Sequence, residues 1–252
     1  MKNSVERFSQ TVNDYAKYRP SYPQEVLQVL IAKCGLTKDK IVADVGSGTG
    51  LLSKLLLEYG SAVYGVEPNQ FMREAAEVYL KSYPNFFSVN GIAEATTLQN
   101  QSVDIITVGT AFHWFDAEKT KIEFKRILKS SGWVVLVWNV RNMEKSELLH
   151  DYEDLILRYG KDYRESNARR FDKTAIAEFF SPYEMKIQSF KNFQQFDWEG
   201  LKGRLLSTSY SLRPGDDQYD EMLEALKNIF DRYQRHGMVE FLYETKLYYG
   251  RF

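Results

Sequence analysis

An α/β fold, with a mostly parallel sheet and helices on both faces, is what this sequence predicts. Three observations predict it. Short apolar runs alternate with segments of helical apolar spacing from Ile41 to Trp138. The first run ends in the glycine-rich stretch Gly46-Ser47-Gly48-Thr49-Gly50. The second run ends on an acidic residue, Glu67.

The elements follow in order. Glu25 to Ala32 reads as a helix with Val26, Leu27, Leu30 and Ile31 on its apolar face, after a stretch broken by Pro20 and Pro23. Ile41 to Val45 is a short buried strand. Leu51, Leu52, Leu55 and Leu56 stand at helical spacing, and Gly60 is placed to cap that helix. Ala62 to Val66 is the second strand. Phe71 to Leu80 is a helix stopped by Ser82-Tyr83-Pro84, and Phe86 to Val89 the third strand. Val103 to Val108 is the fourth strand and Ala117 to Leu128 a helix. Ser131-Gly132 reads as a turn, and Trp133 to Trp138 as the fifth strand. The rhythm then breaks. Glu147 to Tyr159 and Lys173 to Phe180 are helical with no strand between them, so 142–182 reads as a helical insertion covering the C-terminal strand edges. Tyr183 to Trp198 is extended, Met222 to Tyr233 helical, and Val239 to Tyr248 a closing strand. The expected organisation is one structural domain: 1–40 an N-terminal lid and helix, 41–141 a ligand-binding core, 142–182 the insertion, and 183–252 the completion of the sheet.

The glycine turn opens onto a helix N-terminus, where backbone N–H groups favour negative charge and a ligand approaches closely. With Glu67 at the next strand's end, placed to accept both hydroxyls of a ribose, this is a nucleoside-binding unit. A phosphate-cradling P-loop needs Gly-Lys-Ser/Thr after its second glycine, and Gly50-Leu51-Leu52 has no lysine. The dinucleotide fingerprint G-x-G-x-x-G would place its third glycine at Leu51. The pattern present is G-x-G-x-G with Asp44 two residues before it and Glu67-Pro68-Asn69 after the second strand.

That set resembles the class I S-adenosylmethionine-dependent methyltransferases. The resemblance implies a Rossmann-like seven-stranded sheet with an antiparallel last strand, S-adenosyl-L-methionine as cofactor, and direct methyl transfer. It places Asp44, Gly46, Ser47, Gly48, Thr49, Gly50, Glu67, Pro68, Asn69 and Met72 at the cofactor. It also places there Ala93 and Glu94, where Ile92 stands in place of the acidic residue common in the family, and Gly109, Thr110 and Ala111 after the fourth strand. Glu94 reads equally as a carboxylate at a helix N-terminus. The run Phe8, Tyr15, Tyr18-Arg19-Pro20-Ser21-Tyr22-Pro23, together with Phe112-His113-Trp114-Phe115-Asp116, looks like a small-molecule subgroup that includes trans-aconitate methyltransferase-like proteins. There the N-terminal segment folds over the cofactor, so Tyr15 and Arg19 are expected at the cofactor, and Tyr18 and Tyr22 at the methyl acceptor.

Ligands of open α/β sheets bind outside the carboxyl ends of the strands. His113, the only histidine near a predicted strand end, is therefore a candidate general base or orienting partner; a histidine held by its aromatic neighbours is the alternative. Trp114, Arg141 and Tyr210 complete the expected acceptor side, and Asn139, Arg204 and Ser207 to Tyr210 read either as acceptor contacts or as surface and capping residues. The 17 Tyr, 16 Phe and 4 Trp read either as residues that line a pocket for an organic molecule or as residues that pack the core and cover the sheet.

The composition narrows the partners. The 252 residues carry a net charge of −1, with 44% hydrophobic and 27% charged residues, as in an ordinary globular protein. No global field draws the chain to nucleic acid or membrane, and the basic pairs Lys125-Arg126 and Arg169-Arg170 are short. Three histidines and one cysteine offer no metal-ligand spacing, and Cys34 has no intramolecular disulfide partner. The N-terminal Met1 to Arg7 lacks an apolar signal region, so a cytoplasmic location is expected. The function expected is methyl transfer to a small organic molecule, at a carboxylate or hydroxyl oxygen. The alternatives are a cofactor-binding regulatory module without turnover, or a different nucleotide-cofactor enzyme on the same fold.

Overall fold

The computed structural model describes residues 17–161, 163 and 173–252. Its elements are α1 (Gln24–Cys34), β1 (Ile41–Val45), α2 (Leu51–Tyr59), β2 (Ala62–Val66), α3 (Gln70–Tyr79), β3 (Phe86–Val89), β4 (Val103–Gly109), α4 (Ala117–Ile127), β5 (Leu128–Arg141), α5 (Glu147–Tyr159), α6 (Lys173–Phe180), β6 (Met185–Phe196), α7 (Trp198–Leu206), α8 (Tyr219–Tyr233) and β7 (Val239–Arg251). A seven-stranded sheet runs in the order β3-β2-β1-β4-β5-β7-β6. β1 pairs in parallel with β2 and β4, β2 with β3, and β4 with β5. The last strands are antiparallel, so the Rossmann-like architecture read from the sequence is the one observed.

The described residues fall into two compact units. The first to consider takes in 21–139, 173–190 and 245–252. Its core packs α1 and α2 on β1, β2, β4 and β5 through Val26, Leu30, Leu55, Leu56, Val42, Val63, Ile105 and Val135, joined by Leu247 and Tyr249 of β7. β1 is buried on both faces, as in any parallel sheet of this kind. Gly60, at φ 109°, ends α2 as the sequence predicts, and Asn69 and Asp116 cap α3 and α4 with their side chains.

The other unit takes in 17–20, 140–161, 163 and 191–244. Its core is built from α5, α7, α8 and the adjoining strand ends, with Leu149, Tyr152, Ile156, Leu201, Leu205, Leu226, Phe230 and Phe241 buried together. Ser146 and Asp197 cap α5 and α7. Among the described residues, no helix is long and apolar enough to cross a membrane.

Three expectations need correction. The turn expected at Ser131-Gly132 lies inside β5, which starts at Leu128. The ladder shows why: β4 pairs Val103 with Leu128 but Ile105 with Trp133, so five steps along β5 match two along β4 and the register shifts between them. Ser131 takes the left-handed conformation there, at φ 64°. The second correction is α7. Gly200 and Gly203 disguise it in sequence: the extended reading of Tyr183 to Trp198 ends on its first residue, and no helix is read before Met222. A Cβ at Gly203 would lie 2.2 Å from the Tyr18 ring, so the glycine admits that ring. Third, two helices rather than one join β6 to β7.

Candidate active site

The carboxyl ends of β1, β2 and β4 converge within the first unit, and each carries residues singled out in the sequence. After β1, Gly46, Gly48 and Gly50 all have positive φ, at 69°, 54° and 85°. Their reasons differ. A Cβ on Gly46 would meet the Ala111 Cβ at 2.6 Å, and one on Gly50 would meet Leu80 at 2.6 Å; both are packing glycines. A Cβ on Gly48 would meet nothing within 4 Å. Open space therefore lies against the backbone at Gly48.

Glu67 is half-buried, and both of its carboxylate oxygens are engaged by backbone. Oε2 accepts from the Gly48 N–H at 3.0 Å and Oε1 from the Asn69 N–H at 2.9 Å. Each oxygen keeps a lone pair for a hydroxyl donor. Withdrawal from water raises its pKa above the usual carboxylate value, an effect the Asn69 and Gly48 N–H groups partly offset. The turn beyond is clamped. Asn69 Oδ1 accepts from the Phe71 and Met72 N–H groups, and Arg73 Nη1 donates to the carbonyls of Glu67 and Pro68, both at 2.8 Å, and to Asn90 Oδ1 at 3.1 Å. Arg73 escaped the sequence reading because a helical arginine there resembles any solvated one.

Asp44 is fully buried and is committed internally: Ser53 Oγ donates to Oδ2 at 2.6 Å and Thr107 Oγ1 to Oδ1 at 3.1 Å. It ties β1 to α2 and β4, holding the glycine turn in place. Burial pushes its pKa up to about 6, against the opposing hydrogen bonds from Ser53 and Thr107. Thr49 lies fully buried in the turn, and its Oγ1 has no hydrogen-bond partner. Met72 is buried on α3.

Beyond β3, Ile92 and Ala95 exchange backbone hydrogen bonds at 3.3 and 3.1 Å, with Ala93 buried between them. Glu94 Oε1 accepts from the Asp116 N–H at 2.7 Å and so ties this turn to the start of α4. Beyond β4, Thr110 has φ 55°, a strained conformation for a β-branched residue. Its Oγ1 lies 3.3 Å from the Tyr22 hydroxyl, and a Cβ on Gly109 would meet that hydroxyl at 2.6 Å. Phe112 to Trp114 form a short 3₁₀ turn. The His113 ring lies 4.8 Å from that of Trp114, which is exposed, while Phe112 is buried against Trp138 and Phe179.

The family comparison bears on this geometry. Residues 43–136 match the family model described as a methyltransferase domain. An uncharacterized methyltransferase of Mycobacterium tuberculosis is 33% identical over 186 residues, 74% of this chain and 70% of the relative. An uncharacterized methyltransferase of Schizosaccharomyces pombe is 28% identical over 256 residues, 96% of this chain and 95% of the relative. The chain belongs to the class I S-adenosylmethionine-dependent methyltransferases. The Bacillus subtilis YcgJ protein shares the fold, with a TM-score of 0.59 at 21% identity over 91% of this chain and 98% of that one. An S-adenosylmethionine-dependent methyltransferase from Aquifex aeolicus shares it at a TM-score of 0.51 and 15% identity, over 69% of this chain and 89% of that one.

The methyltransferase has residues that fit its cofactor. The open face of Gly48, the free lone pairs of Glu67 and the unpartnered Thr49 hydroxyl stand together at the β1–α2 turn. Of the other predicted residues, Tyr15 lies outside the described residues. Tyr18, Arg19, Arg141 and Tyr210 belong to the second unit. There Arg19 Nη2 donates to the Ser207 carbonyl at 3.1 Å, and Tyr18 offers its carbonyl to Gln194 Nε2 at 3.3 Å. Arg141 pairs with Glu153 and donates to the Tyr163 hydroxyl at 2.6 Å. Tyr210 is buried with its ring 4.6 Å from that of Tyr163. Among the described residues, no cluster of His, Cys, Asp and Glu stands ready for a metal.

Proposed function

We propose that this enzyme methylates a small organic molecule at a carboxylate or hydroxyl oxygen. The observation that carries the reading is the strained Thr110 beneath the Tyr22 hydroxyl, next to the aromatic run Phe112 to Phe115 at the end of β4. Strain of that kind gathers at sites where geometry must be held in advance. The near-neutral charge supports a small acceptor over a nucleic acid. The likeness of Tyr18 to Pro23 and Phe112 to Asp116 to the trans-aconitate methyltransferase-like subgroup supports an acid.

S-adenosylmethionine, which Glu67 and the Gly46 to Gly50 turn would hold, would supply an electrophilic methyl group on a sulfonium to the acceptor oxygen. The chain's own part is orientation, worth on the order of 7–11 kcal/mol in such displacements. In this reading Glu67 holds the ribose hydroxyls, Gly46 to Gly50 present the backbone, Asp44 keeps that turn rigid, and Tyr22 with Thr110 shuts the acceptor side. A carboxylate acceptor needs no base. A hydroxyl acceptor gives its proton to His113.

The experiment is transfer of labelled methyl to a panel of small acids and phenols, beside protein and RNA. Turnover on the small panel alone supports the reading, and labelling of protein or RNA alone overturns it. His113→Ala then separates the acceptors. A carboxylate acceptor loses little turnover, while a neutral hydroxyl loses on the order of 10²-fold.

A further inference from the structure

Arg204 on α7 is a buried guanidinium. It is 4% exposed, and among the described residues no carboxylate lies within ion-pair distance. Only Nε is used, donating to the Tyr243 hydroxyl at 3.2 Å; Tyr243 in turn donates to Gln194 Oε1 at 3.0 Å. Nη1 is buried without a partner. A second buried donor shares its surroundings. The Tyr152 hydroxyl on α5 is fully buried and has no partner either. Both side chains pack on one ring: Phe241 lies 4.8 Å from the Tyr152 ring, and the Arg204 guanidinium lies 5.8 Å from the Phe241 centroid.

The neighbouring acid does not compensate. Glu153 is taken by Arg141 and by the Tyr163 hydroxyl, which donates to Oε1 at 2.6 Å. Among the described residues, the Arg141 and Arg204 guanidiniums thus share the single carboxylate of Glu153, which Arg141 takes. Arginine does not shed its proton in a protein, so the charge persists. Burial raises the Tyr152 pKa, with Arg204 opposing, so the hydroxyl keeps its proton and remains a donor. Leaving a buried charge and a buried hydroxyl both unmatched is costly, and proteins rarely retain both without a ligand.

We propose that Arg204 and Tyr152 bind the carboxylate of a small organic acid, and that the methyl acceptor is a member of this class. The second part rests on the proposed function; the first does not. A planar carboxylate matches the guanidinium's free edge and takes a further hydrogen bond from a phenol.

Thermal-shift titration tests the binding, with succinate, glutarate and benzoate as probes and their primary amides as neutral controls. The acids should raise the melting temperature and the amides should not. Tyr152→Phe should fold with a melting temperature at or above the unaltered protein's, since it deletes an unpartnered buried hydroxyl. It should nevertheless weaken acid binding about 10-fold, and Arg204→Met about 100-fold. Should Arg204→Met fail to fold, Tyr152→Phe carries the test alone. Acids and amides behaving alike would overturn the proposal. So would unchanged acid affinity in Tyr152→Phe, which would leave a buried water as the only occupant. Calorimetry with S-adenosylhomocysteine, run in parallel, reads the cofactor half separately. Methylation of a neutral acceptor with no preference for its acid counterpart would defeat the acceptor assignment while leaving methyl transfer intact.

Discussion

Gly48 donates its backbone N–H to Glu67 Oε2 at 3.0 Å, joining the turn after β1 to the end of β2. Asn69 holds the other oxygen at 2.9 Å, so the carboxylate is aimed before any ligand arrives. Pre-aimed groups lose little freedom on binding, and their hydrogen bonds count in full.

Glu67→Ala should therefore weaken S-adenosylhomocysteine binding by roughly 1–3 kcal/mol. Glu67→Gln should be nearly as damaging. Whichever way the amide turns, its NH₂ faces either the Gly48 or the Asn69 N–H, donor against donor. Calorimetry measures both; a glutamine variant binding as tightly as the unaltered protein would refute the double-acceptor role.

Gly48→Val should abolish cofactor binding while the chain still folds. The side chain enters open space, so the folding penalty is the positive φ alone, about 1–3 kcal/mol. Gly46→Ala is the contrasting case, because its Cβ collides with Ala111 at 2.6 Å. It should lower the melting temperature more than the ratio of its binding loss would suggest. Melting curves set beside titrations separate the two effects.

Asp44→Asn should stabilise the protein near neutral pH. The folded-state pKa is raised to about 6 from 3.8, so the folded protein holds this proton more tightly than the unfolded chain does. The contribution to stability is present below pH 4 and is lost as the pH rises through 6. Two units correspond to about 2–3 kcal/mol. Denaturant unfolding between pH 4 and 8 should show this decline in the unaltered protein, and the asparagine variant should lack it.

Thr110→Asn should raise stability by roughly 0.5–1 kcal/mol, since asparagine tolerates the left-handed conformation that threonine resists. Turnover should fall, because the 3.3 Å contact between the Tyr22 hydroxyl and Thr110 Oγ1 is removed. A stabilised variant with full activity would make the strain incidental.

The sheet and the cofactor turn were legible because their signals are local. Ile41 to Val45, Gly46 to Gly50, Gly60 and Glu67 announce strand, turn, cap and acid through residue type and spacing within a few positions. Helices such as Glu147–Tyr159 and Lys173–Phe180 were equally plain from their apolar period. The α7 helix was not, since Gly200 and Gly203 lower helical propensity and the reason for Gly203 is the distant Tyr18 ring.

By itself, then, the sequence determined the fold class, the strand–turn–helix unit and the acidic residue at the end of β2, all set by periodicity and backbone chemistry over short stretches. Only the tertiary structure decided how the polar groups are matched. Asp44 meets Ser53 and Thr107, Arg141 meets Glu153, and Arg204 meets the Tyr243 hydroxyl. The physical reason is that a hydrogen bond or ion pair depends on distance in space, and residues 63 positions apart, such as Asp44 and Thr107, become neighbours only when strands pair.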